Sequence, residues 1–163
     1  MADRFPDSAP RYELRVYYED TDAGGVVYHA NYFRFAERAR TEALRALGVP
    51  HAEMESQHGV IFMVRRGKVD YLAPARLDDA LVVTTSVHAL RAATVTLVQS
   101  VWRDRRRLVT IEVELACLRT SDQRPQRIPP RWRVALAGLL ACRETASIGA
   151  RGDHNAGSDF PRV

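Results

Sequence analysis

At 163 residues, 46% of them hydrophobic, the chain has the length of one domain and enough apolar material for a proper core. A formal net charge of +4 suits anionic ligands such as phosphates. It does not call for nucleic acid, because the basic clusters, Arg103 with Arg105 to Arg107 and Arg131 with Arg133, read as a solvated hairpin turn and a helix start.

Residues 1–10 carry two prolines and no periodicity, and are expected to form a loose arm. Their beginning lacks the apolar stretch of a signal peptide, and no apolar run in the chain approaches the roughly 20 residues of a membrane span. The sequence therefore predicts a cytoplasmic protein with no membrane span. Residues 11–18 alternate, with Tyr12, Leu14, Val16 and Tyr18 on one face, as in a half-buried strand. A turn with Gly24 and Gly25 follows.

The period then changes. Tyr32, Phe35, Ala36, Ala39, Ala43 and Leu47 recur at helical spacing, which predicts a helix over 30–47 that stops at Gly48 and Pro50. Its alanine-rich stripe allows close approach to a sheet. Residues 51–57 read as a polar connection. Residues 59–72 read as a long strand with a bulge or bend at Gly67, ended by Pro74. Three further strands, 80–90, 93–103 and 107–119, are joined by short connections, as in a meander. Pro129 and Pro130 open a short helix over about 130–143, and residues 144–163, rich in Gly, Ser, Asp and Arg, are expected to be disordered.

Strand, long helix, four strands and short helix is not the order of a parallel βαβ sheet. An antiparallel sheet of about five strands wrapped around one long helix buries the alanine stripe most simply. This gives an α+β domain over 11–143. Exposed sheet edges favour pairing between subunits, so a dimer at least is expected.

Chemistry concentrates between Tyr18 and Tyr32. Asp20-x-Asp22 does not open a calcium loop: counted from Asp20, the fifth position is Gly24 and the twelfth Asn31. The five histidines lack zinc spacing, and no Gly-x-Ser-x-Gly elbow occurs. Cys117 and Cys142 have no metal or nucleophile context and read as free thiols in a reducing compartment. Carboxylate catalysis remains: an aspartate beside a turn can act as general base or as nucleophile on an acyl carbon. Free N–H groups where the next helix starts would meet the developing oxyanion. Gly24, Gly25, Val26 and Val27 would let a substrate approach the backbone. The plain alternative is that Asp20 and Asp22 only bind N–H groups of their own turn.

The run Arg15-Val16-Tyr17-Tyr18-Glu19-Asp20-Thr21-Asp22-Ala23-Gly24-Gly25-Val26-Val27-Tyr28-His29-Ala30-Asn31-Tyr32, continued by Phe35 and Glu37-Arg38-Ala39-Arg40, resembles the bacterial Tol-Pal-associated acyl-CoA thioesterases of the YbgC type. These belong to the 4-hydroxybenzoyl-CoA thioesterase group of hotdog-fold proteins. Val69-Asp70-Tyr71-Leu72-Ala73-Pro74-Ala75-Arg76-Leu77-Asp78-Asp79 is a second match, and the likeness covers about residues 11–141. It implies a hotdog fold, assembly into a homodimer or homotetramer, and hydrolysis of acyl-CoA to free acid and CoA with no metal or other cofactor. It also implies Asp22 as the catalytic carboxylate and His29 as the residue whose backbone N–H polarises the thioester carbonyl.

Substrate contacts are expected from Tyr17, Tyr18, Gly25, Val26, Val27, Asn31 and Tyr32, and contacts to CoA phosphates from Arg65 and Lys68, with Arg66 and Arg91 as further candidates. Packing explains Asn31 and Tyr32 as well, and Glu37 reads as a helix-surface residue. An acyl carrier protein is a further partner suggested by the resemblance. Two rivals stay open. One is a hotdog enoyl-CoA hydratase, although six residues and no proline separate Asp22 from His29. The other is a non-catalytic binding module for acyl carrier protein or for cell-envelope machinery.

Overall fold

The computed structural model of the chain describes residues 9–144. Its elements are β1 (Arg11–Arg15), a single 3-10 turn (Tyr18–Asp20), α1 (Asn31–Ala46), α2 (His51–His58), β2 (Val60–Tyr71), β3 (Ala80–Leu90), β4 (Thr94–Arg103), β5 (Arg106–Arg119) and α3 (Pro130–Glu144). The strands form one antiparallel sheet in the order β1-β3-β4-β5-β2. The expected architecture is present, with α1 lying against β1, β3, β4 and β5.

The reason is visible in the pattern. Leu108 and Val109 are buried, and from there Ile111, Val113, Leu115 and Cys117 keep every second residue of β5 inside. Phe35, Ala36, Ala39 and Ala43 line the buried side of α1. A buried Gln99 on β4 donates from Nε2 to the Ala36 carbonyl at 2.8 Å and so ties sheet to helix. Among the described residues, no helix is long and apolar enough to cross a membrane.

Four expectations need correction. The connection at 51–57 is in fact α2. It buries only Met54 along its length, so its sequence has too little apolar periodicity to read as a helix. The first strand ends at Arg15, not 18. The Asp20 carboxylate accepts the Tyr17 N–H at 2.9 Å and draws the chain into the 3-10 turn. Tyr18 therefore leaves the face it would share with the fully buried Val16 and is 81% exposed. The irregularity in β2 falls between Val64 and Arg66 rather than at Gly67. Gly67 makes room instead, since a Cβ there would stand 3.2 Å from Phe33 Cε1. Lastly, the N-terminal arm is not loose up to residue 10: Ala9 is buried and the Pro10 carbonyl accepts the Thr85 N–H. Residues 1–8 and 145–163, the rest of the expected arm and tail, lie outside the described residues, apart from Glu144, which extends α3.

Cys117 is buried, and desolvation pushes its thiol up to about 11. The folded state therefore holds the proton longer than the unfolded chain does. Stability is lost as pH rises from the ordinary thiol range toward 11, on the order of 1–3 kcal/mol from this group. Urea titrations at pH 8 and pH 10.5 should show a smaller loss for Cys117→Ala than for the native chain, and an equal loss would refute the assignment.

Candidate active site

Residues 20–28 close into a small hairpin. Thr21 bridges Val27, the Asp22 N–H binds the Val26 carbonyl at 3.0 Å, and the Tyr28 N–H binds the Asp20 carbonyl at 2.8 Å. Gly25 takes φ +70°, a left-handed conformation that residues with a Cβ rarely adopt. Asp22 Oδ1 accepts the Gly24 N–H at 2.8 Å, an Asx-type turn, and a Cβ on residue 24 would stand 3.0 Å from that same oxygen. Asp22 is exposed, and its Oδ2 has no partner among the described residues. One oxygen is thus held by the loop and the other is left free of protein partners among the described residues.

Asp20 differs from it. It is buried, its carboxylate caps Tyr17, and its carbonyl also receives the Asn31 Nδ2 donor at 3.0 Å. The two carboxylates that composition leaves equivalent are therefore in unlike settings: Asp20 is consumed by turn and helix anchoring.

The second motif braces the first. The Val27 N–H binds the Ala75 carbonyl at 2.8 Å, while the Ala75 N–H binds the hydroxyl of buried Tyr32 at 3.0 Å. Arg76 Nη1 reaches the Gly25 carbonyl at 3.5 Å. Asp79 is fixed by Arg103 at 2.7 Å and by the Arg76 N–H at 2.8 Å. Burial pushes the Tyr32 hydroxyl up from its ordinary value, which keeps it protonated.

The helix starts two residues after His29. Asn31 is its first residue, and the Asn31 N–H binds the Tyr28 carbonyl at 2.9 Å. The N–H groups of His29 and Ala30 have no partner among the described residues. They form two adjacent donors at the positive end of a 16-residue helix. The hydroxyl of Tyr71, at the end of β2, donates to the His29 carbonyl at 2.9 Å. The His29 ring is exposed and lies against Tyr28, with centroids 4.4 Å apart.

Together these contacts bring Asp22, Gly25, Val26, Val27, His29, Asn31 and Tyr32 into one loop-and-helix unit. Val27 is buried as its anchor, Asn31 and Tyr32 point into the structure, and Tyr17 and Tyr18 stand exposed at its border. Arg65 and Lys68 lie on β2 among surface ion pairs, with Glu114 at 3.0 Å and Asp70 at 3.9 Å respectively. Glu37 is exposed and accepts the Thr41 hydroxyl. Among the described residues no group of three or more His, Cys, Asp or Glu could hold a metal ion.

The sequence model of the thioesterase-like superfamily matches residues 16–136. The chain belongs to the thioesterase-like superfamily. Within that superfamily it is similar to acyl-CoA thioesterase YbgC of Haemophilus influenzae, 40% identical over 133 residues that cover 82% of this chain and 98% of the relative. It is also similar to acyl-CoA thioester hydrolase YbgC of Escherichia coli, 42% identical over 120 residues, 73% of this chain and 89% of the relative. Among solved structures, the DHNA-CoA thioesterase of Staphylococcus aureus superposes with a TM-score of 0.76 at 27% identity, covering 85% of this chain and 95% of that one.

Sequence reasoning on this thioesterase-like chain missed Tyr71 and Ala75 as supports of the loop. The match at Val69 to Asp79 was the available signal. Its meaning, a brace for the other motif, needed the fold.

Proposed function

We propose that the chain hydrolyses the thioester of an acyl-CoA to free acid and CoA, with Asp22 as general base or nucleophile and the N–H groups of His29 and Ala30 as oxyanion donors. The observation that carries this is the pairing, in one braced unit, of a carboxylate with one oxygen free and two backbone donors at a helix start that have no partner among the described residues. In the general-base route Asp22 takes a proton from water as the water oxygen attacks the acyl carbon. The carbonyl oxygen gains charge against the N–H groups, and collapse of the intermediate expels the CoA thiolate. In the nucleophilic route the Asp22 carboxylate attacks the acyl carbon, the C–S bond breaks and CoA thiolate leaves as a mixed anhydride forms, and water then hydrolyses the anhydride to the free acid and the restored carboxylate.

The acyl group extends from this point between α1 and β2. A cavity of about 540 Å³ lined by Glu37, Arg40, His51, Phe62 and Val64 among others, from α1, α2 and β2, supports that course. Among the described residues β2 pairs with β5 alone and leaves its outer edge unpaired, which together with exposed Met63 and Val64 favours a homo-oligomer through that edge. A cytoplasmic location suits a CoA-ester substrate, and acyl carrier protein, which bears the same thioester chemistry, is a further candidate partner.

The test is a panel of short, long and aromatic acyl-CoAs with release of CoA thiol followed colorimetrically. Thiol release from at least one class is expected. Loss of the crotonyl-CoA enone absorbance without thiol release would replace the reading by hydration.

A further inference from the structure

We propose that Tyr71 is a positioning residue for hydrolysis: its hydroxyl pins the His29 carbonyl and thereby holds the Ala30 N–H as a donor to the oxyanion. The inference rests on the reading of the helix start as the oxyanion site.

In a trans peptide the carbonyl oxygen and the following N–H lie in one plane and point in opposite directions. The bond of 2.9 Å from Tyr71 Oη to the His29 carbonyl therefore orients the Ala30 N–H as well, turning it away from β2. The neighbouring peptide is fixed differently. Its carbonyl, on Tyr28, accepts the Asn31 N–H at 2.9 Å, which orients the His29 N–H. Two consecutive donors are thus each aimed by a hydrogen bond to the carbonyl of their own peptide. One of those bonds is backbone and insensitive to side-chain chemistry. The other depends on a single hydroxyl.

Tyr71 can serve as a fixed anchor because it is itself held. It closes β2 opposite Val109 of β5, and its ring meets buried Tyr32 edge-on, with centroids 5.8 Å apart. Desolvation raises its hydroxyl above the ordinary value, so it remains a donor through neutral pH. A ring 42 residues away in sequence thereby fixes the geometry of the loop that carries Asp22 and His29.

Oxyanion donors act on the transition state more than on the bound ester, so loss of the anchor should appear in turnover and not in affinity. Tyr71→Phe keeps the ring contact with Tyr32 and removes only the hydroxyl. We expect kcat to fall about tenfold, the factor that one lost hydrogen bond of ordinary net strength represents, with KM within about twofold and a melting temperature lowered by no more than about 5 °C, since the same bond also contributes to the fold.

A second measurement separates positioning from folding. A 13C=O-labelled acyl-CoA bound to Asp22→Asn should show its thioester carbonyl band shifted to lower frequency, and the shift should shrink in the Asp22→Asn, Tyr71→Phe double variant. Unchanged kcat in a folded Tyr71→Phe, or an unchanged carbonyl band in the double variant, would overturn the proposal. If Asp22→Asn alone kept full turnover, the reading of the site itself would fall and take this proposal with it. If Asp22→Asn is inactive while Tyr71→Phe is normal, only the proposal about Tyr71 falls.

Discussion

Asp22→Asn is expected to slow acyl-CoA hydrolysis by about 10² to 10⁴ in kcat, the range that a positioned general base supplies. The substitution is a clean probe because the loop uses the Asp22 side chain only through Oδ1, which accepts the Gly24 N–H, and its backbone bonds to Val26 and Gly25 do not depend on the side chain. An asparagine oxygen accepts the same bond, so the Asx-type turn, the left-handed Gly25 and the Thr21–Val27 bridge should all persist. What is lost is the negative charge of the carboxylate. Melting temperature should therefore stay within a degree or two, and binding of the intact ester should survive.

Asp20→Ala makes the contrast. It removes a buried carboxylate that caps Tyr17, so it should lower stability by about 1–3 kcal/mol. Chemical denaturation and steady-state kinetics on both variants separate the roles. Near-normal turnover by a folded Asp22→Asn chain would sink the assignment of the catalytic carboxylate.

The fold was legible wherever a period was strong. Alternation from Val109 to Cys117 gave β5, and the alanine stripe at 36, 39 and 43 gave both α1 and its contact with the sheet. The period fails where burial is slight, which is why α2, with Met54 alone inside, read as a loop. It also fails where one side-chain bond redirects the backbone: alternation carried Tyr18 onto the inner face, and the Asp20 cap turned it out. Gly67 carried a true signal with the wrong physical content, since it marks close approach of Phe33 and not a bulge.

At the candidate site, the local cluster from Asp20 to His29 was visible because its residues are neighbours in sequence. The bond from Tyr71 to His29 and the clamp of Ala75 on Val27 and Tyr32 join residues more than forty positions apart. Nothing in local spacing reports such contacts. The resemblance singled out both segments without saying that one holds the other.

Phe35→Ala should be the most destabilising of the single substitutions considered. Phe35 is 1% exposed on the inner face of α1 and meets Tyr32 edge-on, with centroids 6.0 Å apart. Truncation removes a large apolar side chain and leaves a cavity between helix and sheet that α1 cannot collapse into, because Gln99 holds the adjacent Ala36 carbonyl. Phenylalanine-to-alanine changes in such settings cost about 3–5 kcal/mol, which for a chain of this length lowers the melting temperature by on the order of 10 °C. The damage should reach the site as well, because Tyr32, freed on one side, is the residue whose hydroxyl holds the Ala75 N–H beneath Val27. Val134→Ala on the exposed face of α3, where the side chain is 74% exposed, should stay within about 0.5 kcal/mol. Urea unfolding of the two variants, read as a shift in midpoint at constant slope, decides the point. A cost below about 1 kcal/mol for Phe35→Ala would mean that the sheet does not depend on α1 for its core.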